Sequence, residues 1–236
     1  MKVYLINLDK NTDRLAYVDE QLKRLGIEYE RVSAVYGKEL TAAERRVKFN
    51  VFRSFLCEGR RVTPGEIGCA LSHLGIYADM KEDMVCVLED DIAIGDDFPQ
   101  VLKEIENFCN PNRPQVVLLS AHGIRPENRK ASGVERLRGG TCADGYVITR
   151  TGAQVIYHSN FPVVAVADRW IRWMRRFNLE LYRAWPMTVR QDGERFPETD
   201  VSSRPTRPRG IKMILRKGVR TLEMIIDWAF FKLTGK

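Results

Sequence analysis

The sequence predicts an α/β fold with helices flanking a mostly parallel sheet. Short apolar segments alternate with helical patterns over residues 1–201, which is typical of such a sheet. Apolar residues make up 44% and charged residues 29% of the 236 residues, as is ordinary for a globular chain. The length suits one large domain, or one domain plus an appendage. We expect a domain over residues 1–201, a linker over residues 202–210 and a helical tail over residues 211–236.

The first residues predict a β-α-β unit. Residues 2–8 form a short apolar strand, and apolar residues then recur at helical spacing as far as Gly26, a natural helix end. Residues 29–35 predict a second strand. A helix between two strands allows them to run parallel.

The middle of the chain continues this alternation. Thr63, Pro64 and Glu66 supply the cap, the proline and the acid of a helix start, which predicts a helix over residues 63–81. Further helices are predicted over residues 41–56, 101–108, 152–158 and 168–177. Apolar strands are predicted over residues 84–88, 116–120 and 146–149.

Three adjacent carboxylates, Glu89, Asp90 and Asp91, follow the apolar strand at residues 84–88. Ligands bind beyond the carboxyl ends of strands in open α/β sheets, so this position indicates a site. Strand alternation would place Glu89 and Asp91 on one side and Asp90 on the other. Adjacent carboxylates repel one another unless a cation lies among them, and oxygen ligands suit Mg²⁺ or Mn²⁺. The alternative is a solvated acidic turn.

Four short segments form a recognisable pattern when they are taken together. They are Ile6-Asn7-Leu8-Asp9 with Arg14, the run GEIGCALSH from Gly65 to His73, Leu88-Glu89-Asp90-Asp91, and Gly140-Thr141 followed by Ala143 and Tyr146. Over about residues 1–200 they strongly resemble glycosyltransferase family 25, the lipooligosaccharide and lipopolysaccharide galactosyltransferase family, to which collagen galactosyltransferases are related. The resemblance implies a GT-A-like fold, a nucleotide-sugar donor (most often UDP-galactose), inversion at the anomeric carbon and a glycan or glycolipid acceptor.

The resemblance also assigns roles to the acidic triple. It implies that Asp91 is the direct metal ligand and that Glu89 assists at the metal or at the ribose, with Mn²⁺ or Mg²⁺ as the cofactor. The chemistry agrees, because a divalent cation stabilises the charge that gathers on a departing nucleotide diphosphate.

A donor pocket drawn from several segments is implied as well. Its residues are Asn7, Leu8, Arg14, Glu66, Ser72, His73, Glu89, Asp90, Gly140, Thr141 and Gln191. Arg14 could instead be an ordinary charge on a helix surface. His73 could be a satisfied interior group. Glu66 and His73 are seven residues apart, which places them on one face of their helix.

An inverting transfer needs a base that takes the proton of the acceptor hydroxyl. The resemblance implies that Asp168, which follows the small apolar run at residues 163–167, is this base. Asp168 could equally be the N-cap of the helix that follows it. Trp170 and Trp173 share one helix face, where core packing competes with sugar stacking.

The positive charge of the chain is concentrated at its end. Residues 201–236 carry nine lysines and arginines against two acids, which accounts for the whole formal net charge of +7. Apolar residues at helical spacing over residues 211–233 predict a basic amphipathic helix that binds an anionic membrane surface. The alternative is a helix packed on the body or on another subunit.

The charge pattern and the cysteines also indicate a location. The body is neutral, so a nucleic-acid partner is not expected. Five cysteines without a C-x-x-C pair favour a reducing compartment. Without an export signal or a long apolar run, we expect a cytoplasmic protein, peripheral on the inner face of the cell membrane. Two further hypotheses are a sugar-nucleotide nucleotidyltransferase, against which the lack of an early glycine-rich loop counts, and a non-enzymatic membrane-binding protein.

Overall fold

A seven-stranded mixed sheet organises residues 1–120 and 130–197, the part of the chain that the computed structural model describes. The expected linker over residues 202–210 and the expected tail over residues 211–236 lie outside the described residues. The strands are β1 (Lys2–Asn7), β2 (Glu30–Ser33), β3 (Met84–Glu89), β4 (Ile92–Ile94), β5 (Gln115–Leu118), β6 (Gly133–Arg136), β7 (Gly145–Thr149), β8 (Glu180–Trp185) and β9 (Val189–Gln191). The helices are α1 (Thr12–Arg24), α2 (Ala42–Lys48), α3 (Val51–Glu58), α4 (Pro64–Ala78), α5 (Phe98–Phe108), α6 (Arg150–Asn160) and α7 (Trp170–Phe177).

The order of the strands confirms the predicted fold class. The large sheet runs β2-β1-β3-β7-β5-β8-β6, and β4 pairs with β9 in a separate ribbon. β1 is parallel to β2 and β3, and β5 is parallel to β8, whereas β7 and β6 run the other way. Most strands therefore share one direction, as a GT-A-like sheet requires.

Two apolar layers cover the two faces of this sheet. Along β3, Val85 and Val87 face the layer that contains α4, α6 and α7. Cys86 and Leu88 face the layer that contains α1 and α5. Because successive side chains of a strand point to opposite faces, a continuous apolar run is the pattern that a sheet buried on both faces requires.

The register brings the ends of two strands together. Ile6 of β1 lies beside Glu89 of β3 in a parallel pair, so the carboxyl ends of both strands meet at one edge of the sheet. This edge is where a ligand is expected in an open α/β fold. Asn7 ends β1 there, and the acidic triple ends β3.

The single helix expected over residues 41–56 is wrong, because the chain forms two helices. Phe49 has an extended backbone, with φ −137° and ψ 126°, and forms a bridge to Val163. Asn50 then starts α3, since its side-chain oxygen accepts a hydrogen bond from the backbone N–H of Arg53 at 3.0 Å. An asparagine inside a helical pattern is a cap as readily as an interior residue, and tertiary pairing decides which.

Four strands, β4, β6, β8 and β9, were not predicted from the sequence. β4 and β9 have only three residues each, which is too short to show a period. β8 contains Leu181, Tyr182 and Trp185, residue types that favour strands and could have indicated it. Among the described residues, no helix is long and apolar enough to cross a membrane.

Candidate active site

A cleft opens at the edge where β1 and β3 end. Seven of the residues expected at the site line it: Leu8, Arg14, Ser72, His73, Glu89, Asp90 and Asp91. Asn11, Tyr36 and Cys69, which the sequence did not indicate, line it too. The first turns of α4 close one side, where a Cβ on Gly68 would lie 2.3 Å from the backbone oxygen of Val35. Only a glycine allows the helix to approach that segment so closely.

The acidic triple is not the solvated turn that was the alternative. Asp90 is 8% exposed and Asp91 is 6% exposed. Glu89 Oε1 lies 3.1 Å from Nε2 of His73 and 3.7 Å from the sulfur of Cys69. Burial raises the pKa of Glu89, which the nearby His73 partly opposes and the charge of Asp91 reinforces. Asp90 and Asp91 are therefore buried, and Glu89 is partly buried beside them.

Asp90 is held by two residues of the β1–α1 segment. Asn7 Nδ2 donates to Asp90 Oδ2 at 2.7 Å, and Arg14 donates to Asp90 Oδ1 at 3.3 Å. Burial raises the pKa of Asp90, and these two partners act in the opposite direction. Arg14 also lies 3.8 Å from Asp91, so the surface-charge alternative for Arg14 is wrong. The strict alternation expected for the triple is wrong as well, because β3 ends at Glu89 and the turn lets one arginine reach Asp90 and Asp91.

Asn7 positions the acidic turn. Its amide nitrogen bonds Asp90, and its Oδ1 accepts a hydrogen bond from Arg31 Nε at 3.0 Å. The side chain is buried and is not among the residues that line the cleft. Asn7 therefore acts on the site through Asp90, and its contact with the donor stays a prediction.

Asp91 has one bonded oxygen and one unbonded oxygen. Gln191 Nε2 donates to Asp91 Oδ2 at 3.0 Å. Asp91 Oδ1 is buried and has no hydrogen-bond partner among the described residues. A buried carboxylate oxygen without a partner is costly, and a cation is the partner that would relieve the cost. The donor set therefore fits a divalent metal.

His73 belongs to a buried hydrogen-bonded chain. Its Nδ1 lies 2.7 Å from the hydroxyl of Tyr146, which in turn contacts the hydroxyl of Tyr77. Burial raises the pKa of both phenols, so both stay protonated. His73 is thus an interior group, as the alternative held, and it also lines the cleft and contacts Glu89.

Cys69 lies one helical turn before His73 and faces the same carboxylate. The side-chain donor atoms of Cys69, His73 and Glu89 lie within 4.8 Å of one another, a group that could hold a metal ion. Burial raises the pKa of the Cys69 thiol, and the charges of Glu89 and Asp168 raise it further. A thiol kept protonated is a weak ligand, so the oxygens of Asp91 and Glu89 are the better donors for Mg²⁺ or Mn²⁺.

Glu66 stabilises the start of α4. Its carboxylate accepts hydrogen bonds from Arg60 at 2.6 and 2.8 Å and from the backbone N–H of Thr63 at 2.9 Å. Thr63 and Glu66 form a capping box, and Glu66 is only 2% exposed. This placement gives Glu66 a structural role, and its expected place in the donor pocket stays a prediction. Ser72 does line the cleft, but its hydroxyl is already bonded to Val35 and Gly68.

Asp168 lies beside the Gly140-Thr141 segment. The backbone N–H of Cys142 donates to Asp168 Oδ2 at 3.5 Å, and Trp170 Nε1 donates to the backbone oxygen of Cys142 at 2.8 Å. The charges of Asp168 and Glu89 both raise the pKa of Cys69, so Asp168 lies near enough to this thiol to act on it electrostatically. Gly140 and Thr141 are not among the residues that line this cleft, and their contact with the donor stays a prediction.

The N-cap alternative for Asp168 is wrong. α7 begins at Trp170, its N-cap is Arg169, and no side chain caps it. Trp170 and Trp173 are both fully buried, so core packing is their role and sugar stacking is excluded for them.

A model of glycosyltransferase family 25, described as an LPS biosynthesis protein, matches residues 1–171. Procollagen galactosyltransferase 1-B of Xenopus laevis is 37% identical over 97 residues, which cover 39% of this chain and 16% of that protein. A glycosyltransferase 25 family member of Drosophila melanogaster is 35% identical over 112 residues, covering 45% of this chain and 18% of that protein. The chain thus spans less than a fifth of the length of these two relatives.

A solved structure with a similar arrangement is a Drosophila β1,4-galactosyltransferase 7 mutant in complex with manganese, UDP-Gal and xylobiose. The TM-score is 0.44 at 11% sequence identity, and the match covers 92% of this chain and 79% of that chain. The family model covers well over half of the 236 residues, including β1, the acidic triple and Asp168. The chain therefore belongs to glycosyltransferase family 25.

Proposed function

We propose that this chain is an inverting, metal-dependent galactosyltransferase that moves galactose from UDP-galactose onto a lipooligosaccharide, a lipopolysaccharide or a similar glycan acceptor. The observation that carries the proposal is the buried oxygen Asp91 Oδ1, which has no hydrogen-bond partner among the described residues at a cleft formed by strand ends. Family membership supports sugar transfer, and the names of the relatives support galactose.

Asp91 would be the principal metal ligand, and Glu89 would assist from the end of β3. Both are carboxylates, the ligand type that Mg²⁺ and Mn²⁺ prefer. When bound, the metal would stabilise the negative charge that develops on the leaving nucleotide diphosphate. Gln191 and Arg14 hold Asp91 and Asp90, which fixes the direction in which the free oxygen of Asp91 points.

The cleft wall also offers an aromatic ring and positive charge to the donor. Tyr36 lines the cleft, with Lys10 Nζ 4.0 Å and Lys38 Nζ 5.8 Å from its ring centroid. An aromatic face suits a nucleobase, and lysines near it attract the diphosphate. Leu8 adds an apolar contact on the same wall.

Asp168 would act as the general base toward the acceptor hydroxyl. It is partly buried and held by the backbone N–H of Cys142. A carboxylate facing the acidic cleft can remove the proton from the attacking hydroxyl on the side opposite the leaving group, as inversion requires. The acceptor would enter near Thr141 and Asp168.

The place of action follows from the acceptor. A lipid-linked glycan is built at a membrane, so we place the enzyme on the cytoplasmic face of the cell membrane, with the basic stretch at residues 211–236 as its contact with anionic lipid. The tail-borne contact and the location rest on the sequence pattern.

Donor hydrolysis across a panel of UDP-sugars, with Mn²⁺ or with EDTA, tests the proposal. We expect turnover of UDP-galactose that EDTA abolishes and that Asp91→Ala eliminates. Asp96→Ala is the matched control, because Asp96 is an exposed aspartate nearby that pairs with Arg24. Hydrolysis that is indifferent to EDTA would remove the metal from the proposal, and no turnover of any UDP-sugar would remove the donor.

The base is tested separately. Asp168→Asn should keep UDP-galactose binding and lose transfer to an acceptor, because the amide accepts no proton at neutral pH. NMR of the product should show inversion of the anomeric configuration. Retained configuration, or full transfer by Asp168→Asn, would contradict the assigned role.

A further inference from the structure

An apolar patch is exposed on the pair formed by α2 and α3. The α3 apolar patch consists of Val47, Val51, Phe52 and Phe55, which are 66%, 67%, 65% and 52% exposed. The other exposed large hydrophobic side chains within the described residues are Phe108 and Phe161, and they are less exposed, at 41% and 40%. Single exposed hydrophobic side chains are common on protein surfaces, but four within nine residues form a patch, and such patches mark interaction sites.

The fold holds this patch outward. Leu56 and Cys57 on the other side of α3 are buried in the core, at 6% exposure each. Phe55 is four residues from Val51 and three residues from Phe52, so the three side chains lie on one side of the helix. The helix cannot turn its phenylalanines inward without exposing its core side.

Positive charge surrounds the patch. Arg45, Arg46 and Lys48 lie in the last turn of α2, and Arg53 and Arg61 follow in α3 and after it. The acids of this region are committed elsewhere. Glu44 serves the capping box of α2 and also pairs with Lys48 at 3.4 Å, so the net positive charge comes from the arginines, and Glu58 is buried beside Arg169.

This combination selects among possible partners. A second copy of the same face would bring like charges together, which is unfavourable, and the stretch at residues 211–236 is itself basic. An anionic lipid surface offers both an apolar layer for the phenylalanines and negative charge for the arginines. We propose that the α3 apolar patch and its flanking basic residues dock this domain on the surface of an anionic lipid bilayer.

The docking face is joined to the segment that carries Asp168. The backbone N–H of Asn50 donates to the oxygen of Val163 at 3.0 Å, and the N–H of Val163 donates to the oxygen of Lys48 at 2.9 Å. Arg169 lies 3.6 Å from the buried carboxylate of Glu58. The docking face and the segment that carries Asp168 are therefore tied together by backbone hydrogen bonds and one ion pair.

This inference goes beyond the proposed function, since it uses the described helices α2 and α3 and is independent of residues 211–236. Its test uses the full chain and measures no activity. Phe52→Trp places an indole in the patch, and Phe108→Trp places one at an exposed position at the end of α5. Each variant is mixed with vesicles of brominated phosphatidylcholine, with or without brominated phosphatidylglycerol, and tryptophan fluorescence is compared with that of the unchanged protein.

We expect Phe52→Trp to add quenchable fluorescence with the anionic vesicles, and Phe108→Trp to add none. Arg45→Glu combined with Arg46→Glu should reduce the added quenching. Equal quenching of the two tryptophan variants would overturn the proposal. A concentration-dependent dimer in vesicle-free sedimentation that Phe52→Ser with Phe55→Ser converts to monomer would also overturn it, because the patch would then be a contact between copies.

Discussion

Gln191 donates a hydrogen bond from Nε2 to Oδ2 of Asp91 at 3.0 Å, across 100 residues of sequence. The pairing of β4 with β9 sets Gln191 opposite Ile92, the residue after Asp91. The backbone N–H of Asp192 also donates to the backbone oxygen of Asp91 at 2.8 Å. The small ribbon therefore orients the acidic turn from the side away from α4.

Removal of the Gln191 amide should weaken metal binding without abolishing the reaction. In Gln191→Ala, Asp91 loses the partner that fixes its orientation, so we expect the Mn²⁺ concentration for half-maximal activity to rise by about tenfold. The measurement is donor hydrolysis as a function of Mn²⁺ concentration. Arg190→Ala, which changes an exposed neighbour on the same strand, is the control and should leave the curve in place. An unchanged Mn²⁺ dependence in Gln191→Ala would show that Asp91 is oriented by other groups.

The hydroxyl of Tyr146 should matter for both stability and activity. Tyr146→Phe leaves His73 Nδ1 and the Tyr77 hydroxyl without their shared partner in a buried place, which costs about 1–3 kcal/mol. The ring of His73 also loses the hydrogen bond that orients it beside Glu89. We therefore expect kcat to fall by about tenfold and the Mn²⁺ concentration for maximal activity to change. Urea unfolding and donor hydrolysis measure the two effects. Tyr157→Phe, at a partly buried tyrosine of α6, is the matched control. If stability falls and activity per folded molecule does not, the chain of hydroxyls is purely structural.

The acidic turn could be predicted from the sequence because its signal is local. An apolar run followed directly by three acids indicates a buried strand that ends in a charged turn, and this is what β3 and its turn form. The start of α4 could also be predicted from the sequence, since Thr63, Pro64 and Glu66 are each typical of a helix N-terminus.

The partners of those carboxylates could not be predicted in the same way. Gln191 reaches Asp91 through a strand of three residues, which has no period to detect. Tyr146 reaches His73 only because β7 runs antiparallel to β3 with Tyr146 opposite Val87. The sequence of a strand that is buried on both faces does not indicate whether it runs parallel or antiparallel to its neighbours. The register that brings Tyr146 to His73 therefore becomes known only from the assembled sheet.

The ion pair at the start of α4 should contribute strongly to stability. Arg60 holds the buried carboxylate of Glu66 through two nitrogens, so Arg60→Ala leaves a desolvated charge with fewer partners. We expect the free energy of unfolding to fall by about 3 kcal/mol, the lower end for breaking a buried pair, because Arg60 is partly exposed. Urea denaturation measures it, and Arg61→Ala, at an exposed neighbour, should change stability by less than about 0.5 kcal/mol. Equal effects of the two substitutions would show that Glu66 does not depend on this pair.

Stability should also decline at alkaline pH, in part through Cys109. Burial raises the pKa of this thiol to about 12, whereas the pKa of an unfolded cysteine is about 8.5. Because the pKa of Cys109 is higher in the folded state than in the unfolded state, its contribution to the free energy of unfolding is fully present below the unfolded pKa. This contribution is lost as the pH rises from there through the folded pKa. By pH 10 the loss should reach about 2 kcal/mol, because the unfolded thiol ionises and the folded one does not. Urea unfolding at neutral pH and near pH 10 should therefore show a smaller decline for Cys109→Ala than for the unchanged protein. Cys109→Ser, which keeps a polar group that does not ionise in this range, should behave like Cys109→Ala. If the free energy of unfolding of both variants falls as steeply as that of the unchanged protein, other groups cause the alkaline sensitivity.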